Sequence, residues 1–391
     1  MVPTRAKFSG LGPGRTKIDP AMRMGGRGAG LKLHMSFNPK FLSTAVGSLP
    51  HTDPAKAVDV VLASIPEAPI WPQLPRLGIN EQMEVQYSEG IPSVIIDRQK
   101  NRMYFDTSKD YSEAFAAFYE AYLAAADAAP GAGDFSFLAI SRDFSHGIEA
   151  LETRLRQEGT RRPYVKLQTT GPCSFALTVT DENKRAIYYN EEFRDVIVKA
   201  LAMKCRWQIQ RFQRYGEQII CFIDEPILSA FGSSTYVSVK REDVVAHLKE
   251  VIDAVHAEGG LAGVHCCGNT EWSILIDAGV DIVNFDAFGF GETIAMYPQA
   301  VKTHLERGGA IAWGVVPTSV AIREQTVETI VAQFGKVTHG LAAKGINEQL
   351  ILEQAMLTPS CGTGSMEVGD AEKVFRLLRE VSGALRAKHG F

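Results

Sequence analysis

Eight short apolar runs rich in β-formers, with helix-like segments between most of them, constrain this chain more than any other feature. They fall at 42–46, 68–71, 164–168, 218–223, 261–265, 281–285, 310–313 and 349–353. Several are near-continuous, which suits strands buried on both faces, because a parallel sheet covered by helices has no wet side. The segments 191–215, 241–258, 292–307, 324–344 and 370–388 carry apolar residues at helical spacing. In the first, Val196, Ile197, Ala200, Leu201, Cys205 and Ile209 follow that spacing. Gly216, Gly259, Gly308 and Gly345 stand where left-handed helix caps would fall. Eight strands alternating with helices is the count of a single (β/α)8 TIM barrel in the α/β class, and 391 residues suit one. A doubly wound sheet shares the alternation and is the competing architecture.

One stretch breaks the repeat. Residues 72–163 are far longer than one βα connection needs, and they read as an insertion after strand two, over one end of the barrel. Within it, 92–97 and 102–105 would pair as a hairpin across 98–101. Helices would follow at 111–128 and 146–157. The catalytic barrel domain is thus expected over 35–391.

Residues 1–34 differ in kind. They hold seven Lys or Arg, one acid (Asp19) and seven Gly, with no apolar periodicity. A basic binding arm, a transit-like leader and a disordered extension all fit. The last is preferred, with Met35 as an alternative start just before the first strand. Without this tail the chain carries 34 basic and 44 acidic residues, a net −10; the whole chain is at −4. That balance argues against a dedicated nucleic-acid binder. No run approaches the roughly 18 apolar residues of a membrane span. Six cysteines in 391 residues do not make a disulfide scaffold. They suit a reducing cytoplasm, where free thiols serve packing or metal binding.

Reactive side chains gather where the strands end, which in a barrel is the face that carries chemistry. Run one leads into Val46-Gly47-Ser48-Leu49-Pro50-His51, run four into Asp224-Glu225-Pro226, and run five into His265-Cys266-Cys267-Gly268-Asn269. Run six ends at Asp286, and run eight leads through Thr358-Pro359-Ser360 to Cys361-Gly362. His265 and Cys267 stand two apart and can reach one ion. Imidazole plus thiolate suits zinc, and Cys361 could add a second thiolate. The competing reading is packing, since free cysteines sit well in cores. It fits Cys173, Cys205 and Cys221, which lie in or beside apolar runs, and fits Cys267 and Cys361 poorly, because each precedes a glycine at a loop. Cys266 should point away from its neighbour. Asp224 and Glu225 are adjacent on a strand, so only one faces the cavity; Asp224 is preferred. A strand-end acid can otherwise cap a helix or form a surface ion pair.

These motifs resemble the uroporphyrinogen decarboxylase and cobalamin-independent methionine synthase superfamily. Within it, they are similar to the catalytic half of methionine synthase and to methylcobamide:thiol methyltransferases. The resemblance rests on Thr44-Ala45-Val46-Gly47-Ser48-Leu49-Pro50, Thr170-Gly171-Pro172, Ile223-Asp224-Glu225-Pro226, His265-Cys266-Cys267-Gly268-Asn269-Thr270 and Pro359-Ser360-Cys361-Gly362. It implies that His265, Cys267 and Cys361 are zinc ligands, with Asp286 where the methionine synthases place a glutamate as fourth ligand. It implies that Asp224 holds the substrate amino group and that Val46 and Ser48 contact the substrate carboxylate. Gln73 and Glu81 lie in the stretch where the family carries a second amine-binding acid.

The function so implied is zinc-dependent transfer of a methyl group to a small thiol, homocysteine before others, giving methionine. A thiol is mostly protonated at pH 7, and zinc would hold it as a nucleophilic thiolate. The chain has no room for the second barrel with which full-length methionine synthases clamp a folate, so the expected donor is a methyl-corrinoid on a separate carrier protein. Ile91, Val94 and Tyr104 are candidates for its docking surface, or for packed core. The alternatives are a methylcobamide:coenzyme M-type methyltransferase, a metal-free decarboxylase of the uroporphyrinogen type, and a non-catalytic zinc-stabilised binding protein. The decarboxylase would leave the His-Cys-Cys set without a purpose.

Overall fold

The computed structural model describes residues 37–391, so the basic tail expected over 1–34 lies outside the described residues. Among the described residues the strands are β1 (Leu42–Ser43), β2 (Val94–Asp97), β3 (Arg102–Phe105), β4 (Arg162–Thr170), β5 (Thr180–Asp181), β6 (Gly216–Asp224), β7 (Leu261–Cys266), β8 (Ile282–Phe285), β9 (Ala310–Val316) and β10 (Ala355–Pro359). The helices are α1 (Pro54–Ser64), α2 (Met83–Gln86), α3 (Ser112–Ala126), α4 (His146–Glu158), α5 (Pro172–Thr178), α6 (Glu191–Phe212), α7 (Arg241–Ala257), α8 (Trp272–Asp277), α9 (Ala287–Phe290), α10 (Pro298–Glu306), α11 (Val327–Ala342), α12 (Glu348–Glu353) and α13 (Val368–His389).

Seven strands form one parallel sheet in the order β1-β10-β9-β8-β7-β6-β4. Its two edges curl toward the same segment, 67–73. On one side Ile70 bridges Lys166 of β4; on the other Gln73 bridges Ser48, just beyond β1. Lys166 N donates to Pro69 O (2.9 Å) and Leu49 N to Gln73 O (2.9 Å). The continuous eight-stranded ladder expected from the alternation does not form, because the second run is held by isolated pairings. Pro66, Pro69 and Pro72 explain it: each lacks the N–H that a ladder needs.

The expected eighth strand at 349–353 is corrected. Those residues belong to α12, started by Asn347, whose side chain accepts from Gln349 N. The strand is the next run, Ala355–Pro359, fully buried between β1 and β9. A short apolar run such as Leu350-Ile351-Leu352 does not declare its period, and the Asn cap decides for helix. Likewise 292–307 is not one helix: a 3-10 stretch at Gly291–Met296 precedes α10, which starts at Pro298. Gly259, Gly308 and Gly345 adopt positive φ after their helices, but Gly216 opens β6 instead.

Inside the curl, side chains two apart on each strand form a column. Its base is apolar: Leu42, Ala68, Ile220, Phe222, Ile282, Ala310, Ala312 and Met356 pack together. Gly263 is required there, since a Cβ would collide with the Phe222 ring. Following each strand upward on the same parity, Phe222 leads to Asp224, Gly263 to His265, Ile282 to Asn284, and Met356 to Thr358. The column therefore changes from apolar to polar toward the carboxyl ends. The larger core fills the space between the sheet and the surrounding helices.

Within 72–163, β2 pairs with β3 antiparallel, and β3 takes β5 as a parallel neighbour. Two buried cations of α6 staple this segment down. Lys204 Nζ donates to Glu89 O (2.6 Å) and Leu138 O (3.0 Å). Arg206 donates to Ala126 O (2.7 Å) and Ala128 O (2.8 Å) at the end of α3 and pairs with buried Glu258 (2.8 Å).

Candidate metal centre and substrate cavity

A cavity of about 370 Å³ opens at the carboxyl ends of the strands, lined among others by Val46, Ser48, Asp224, His265, Cys267 and Cys361. These residues come from β6, from β7 and the turn after it, and from the loops that follow β1 and β10. Chain segments hundreds of residues apart thus meet at one mouth.

His265, Cys267 and Cys361 offer ligand atoms that all lie within 4.8 Å of one another. The imidazole is oriented from behind. Asn284 Nδ2 donates to Ala312 O (2.8 Å) and Thr358 Oγ1 (2.8 Å), which turns Asn284 Oδ1 toward His265 Nδ1 at 2.6 Å. Nδ1 then carries the proton, and Nε2 presents a lone pair. That Nε2 is buried with no hydrogen-bond partner among the described residues. An orphaned buried acceptor beside two thiols fits a soft divalent cation such as zinc. Cys267 is drawn down to about 4, first by the Cys361 thiol and then by the His265 ring beside it. Cys361 is pushed up by the same contact with Cys267, then by burial.

Asp286, expected as a fourth ligand, stands outside this group. Its Oδ1 accepts from Gly289 N at 2.8 Å and caps α9. Burial, with a smaller contribution from Cys267, raises its pKa above the usual carboxylate range. Cys266, one residue off in parity, is turned into the wall, with Sγ 3.6 Å from Gly268 O. Cys173, Cys205 and Cys221 are buried in the core.

The two adjacent acids part as strand parity requires. Asp224 lines the cavity, and its Oδ1 finds no partner among the described residues. Burial pushes its pKa up to about 6, against the pull of Lys166 and His265. Glu225 turns the other way and accepts from Cys173 N (2.9 Å) and Ser174 N (2.7 Å), capping α5. A Cβ on Gly171 would collide with that carboxyl, which accounts for the glycine of Thr170-Gly171-Pro172.

Ser48 and Val46 sit on the loop after β1. Ser48 O accepts from Thr363 N (2.8 Å) and its Oγ from Gly364 N (3.2 Å), so this loop is clamped against the one that carries Cys361. The Val46 carbonyl accepts from Lys166 Nζ, which also donates to Gln168 Oε1 at 3.2 Å and lies 4.6 Å from the Phe222 ring centre. Burial lowers the Lys166 pKa to about 8.

Sequence reasoning passed over Lys166 and Asn284. Strand parity was the available signal: Lys166 is a charge within the run at 164–168, and Asn284 shares Asp286's face. Gln73 and Glu81 both line the cavity. Gln73 Nε2 donates to Gln86 Oε1 (3.1 Å) and Tyr87 Oη (3.3 Å). Glu81 is saturated: Oε1 accepts from His146 N and meets His146 Nδ1, both at 2.8 Å, while Oε2 accepts from Gln86 Nε2 (2.9 Å) and Leu74 N (3.4 Å).

No protein-family model matches the chain, and no curated protein matches it. Solved structures do. A B12-independent methionine synthase from Shewanella sp. W3-18-1, in complex with selenomethionine, aligns at 14% identity over 62% of this chain and 67% of that one, TM-score 0.43. A methyltransferase from Methanosarcina mazei aligns at 14% identity over 85% of this chain and 86% of that one, TM-score 0.51. The likeness to the Methanosarcina protein shows a shared fold across most of both chains.

Proposed function

We propose that this chain is a zinc-dependent methyltransferase that moves a methyl group to a small thiol, homocysteine before others, on a barrel closed by 67–73, with a methyl-corrinoid as donor. The observation that carries the reading is the convergence of His265, Cys267 and Cys361 around an orphaned imidazole nitrogen, in a cavity that also holds the buried carboxylate of Asp224. Zinc bound there would hold an acceptor sulfur as its thiolate, a nucleophile at neutral pH.

The chain's own residues do the rest. His265 is kept in the ligating tautomer by Asn284, a partner that fixes ring orientation. Asp224 lines the cavity with an Oδ1 that has no partner among the described residues, and it is suited to a substrate ammonium. Ser48 and Val46, on the loop held by Lys166, line the same cavity and are suited to a substrate carboxylate. Glu81 already has four donors, so Asp224 is the cavity acid left to bind the amine. Asp286 is engaged as a helix cap, which leaves the fourth coordination position for the thiol.

The cavity is sized for an amino-acid thiol and not for a corrin ring, so the donor presents its methyl from outside. Of the three residues that could dock it or pack in the core, Ile91 is buried, Val94 packs against the core and Tyr104 is half-buried. Among the described residues the exposed large apolar side chains are Leu77, Leu123, Val237, Phe290, Met296, Val320 and Val368. Val237 and Val320, the most exposed of them, lie in the segments that follow the carboxyl ends of β6 and β9.

Metal analysis of purified protein, followed by methyl transfer from methylcobalamin and from methyltetrahydrofolate to homocysteine and coenzyme M, tests the proposal. Bound zinc with corrinoid-dependent methionine formation is the expected result. Absence of bound zinc, or turnover with the folate alone, would overturn it.

A further inference from the structure

Two lysines among the described residues are wholly buried, Lys166 and Lys204. Lys204 staples the inserted segment through Glu89 O and Leu138 O, and neither acceptor belongs to the cavity wall. Lys166 stands on the edge strand β4, inside the curl, and reaches the opposite edge of the sheet. Its Nζ donates to the carbonyl of Val46, a cavity residue on the loop after β1, and to Gln168 Oε1 (3.2 Å). It also lies 4.6 Å from the centre of the Phe222 ring. No carboxylate pairs with it among the described residues. Burial lowers its pKa to about 8, against the pull of Asp224 and Cys221, so the ammonium keeps its charge at neutral pH.

Packing and a hydrogen bond to one carbonyl need only a neutral side chain. A desolvated charge without a counterion is costly, and protein interiors pair it. Asp224 acts on Lys166 from beyond ion-pair distance, and its carboxylate is the group suited to the substrate ammonium. The anion that would complete the pairing is therefore absent from the chain itself. An amino-acid thiol held by sulfur at the zinc ligands and by its ammonium at Asp224 would bring its acidic end to Val46 and Ser48, which line the same cavity. The Lys166 charge lies directly behind that loop, in a low-dielectric interior where charge acts strongly.

We propose that Lys166 is a specificity-determining positioning residue, whose buried charge behind the Val46–Ser48 loop selects acceptor thiols that carry an anionic group. The inference rests on the thiol methyltransferase reading and narrows its acceptor class to aminothiols with an acidic end, over thiols that are neutral or purely basic. Lys166 touches no reacting atom; it acts through its field and through the loop it holds.

The test compares homocysteine with 3-amino-1-propanethiol, which is homocysteine without its carboxylate. Binding to zinc-loaded full-length protein is measured by calorimetry, and KM and kcat with methylcobalamin as donor. Wild type is expected to bind homocysteine about tenfold or more tighter than the carboxylate-free thiol. Lys166→Met, similar in length but uncharged, should raise the homocysteine Kd and KM about tenfold or more, with kcat and zinc content little changed. It should bind the carboxylate-free thiol as wild type does. Lys166→Gln keeps a donor for the Val46 carbonyl without the charge and should behave like Lys166→Met. Wild-type homocysteine affinity in either variant would overturn the inference, and in Lys166→Gln alone would reduce Lys166 to a neutral clasp. Equal weakening of both thiols would overturn it too, since that marks a collapsed cavity. Equal affinity of wild type for the two thiols would overturn it with no variant needed, so a variant that fails to fold does not shield it. Wild-type zinc protein that binds neither thiol would instead overturn the functional reading, and this inference with it.

Discussion

At the scale of single residues, the site depends on which side of a strand each group stands. Cys266 and Cys267 are neighbours, yet one is in the wall and the other in the cavity. Cys267→Ser and Cys361→Ser are expected to lose most of the bound zinc by metal analysis, since serine is a poor soft-metal ligand. Cys173→Ser, in the core, should keep its metal; full occupancy in both ligand variants would contradict the assignment. Asp224→Asn should keep zinc and raise the homocysteine KM about ten- to a hundredfold, the equivalent of roughly 1.5–3 kcal/mol for a charge-assisted contact. Steady-state kinetics beside a zinc assay separates that from loss of the metal. Gly171→Ala should lower stability by about 1–3 kcal/mol, because its Cβ would overlap the Glu225 carboxyl that caps α5. A chemical denaturation midpoint equal to wild type would show that the cap yields without cost.

At the scale of elements, the α10–β9 connection holds a pH-sensitive contact. His304 lies in α10, fully buried, with Nε2 3.0 Å from Ala310 O and Nδ1 3.3 Å from Arg307. Burial, partly offset by the hydrogen bond to Ala310, pushes its pKa from 6.5 down to about 4. The folded state thus prefers the neutral ring. The contribution to stability is complete above the unfolded pKa of about 6.5 and falls away as pH drops toward 4, amounting to about 2 kcal/mol lost at pH 5. Denaturation midpoints at pH 7 and pH 5 check this. Wild type should fall more steeply than His304→Gln, which can still donate to Ala310 O but does not titrate; equal slopes would show that His304 is not the sensor. The same connection shows why Gly309 is glycine, since a Cβ there would collide with the ring.

At the scale of the whole molecule, two strongly exposed valines stand in segments that follow strand carboxyl ends. Val237 is 83% and Val320 74% exposed, in the segments after β6 and β9. A carrier protein docked over the strand ends would cover them. Val237→Glu and Val320→Glu are expected to weaken methyl transfer from a corrinoid carrier protein while leaving transfer from free methylcobalamin unchanged. A parallel loss with both donors would place these residues in the site itself. Among the described residues, no helix is long and apolar enough to cross a membrane.

Local chemistry alone made several elements legible. Glu191–Phe212, Arg241–Ala257 and Val368–His389 declare themselves by helical spacing over many residues. The hairpin Val94–Asp97 with Arg102–Phe105 follows from two β-rich runs four residues apart. The motif residues also had to stand at strand ends, because each follows an apolar run. Short runs were not legible. Gln349 to Glu353 suits either period, and the Asn347 cap together with burial of Ile351 and Leu352 made it helix. The proline-rich segment 67–73 reads as a strand by its apolar content, but its missing N–H groups leave it joined by bridges. Long-range partners were the other blind spot. That Asn284 orients His265, that Lys166 reaches the Val46 carbonyl and that Glu81 meets His146 all depend on how side chains from distant segments share one interior. A sequence sets the period and polarity of each element; which polar groups satisfy one another is decided only when the sheet curls and brings them within bonding distance.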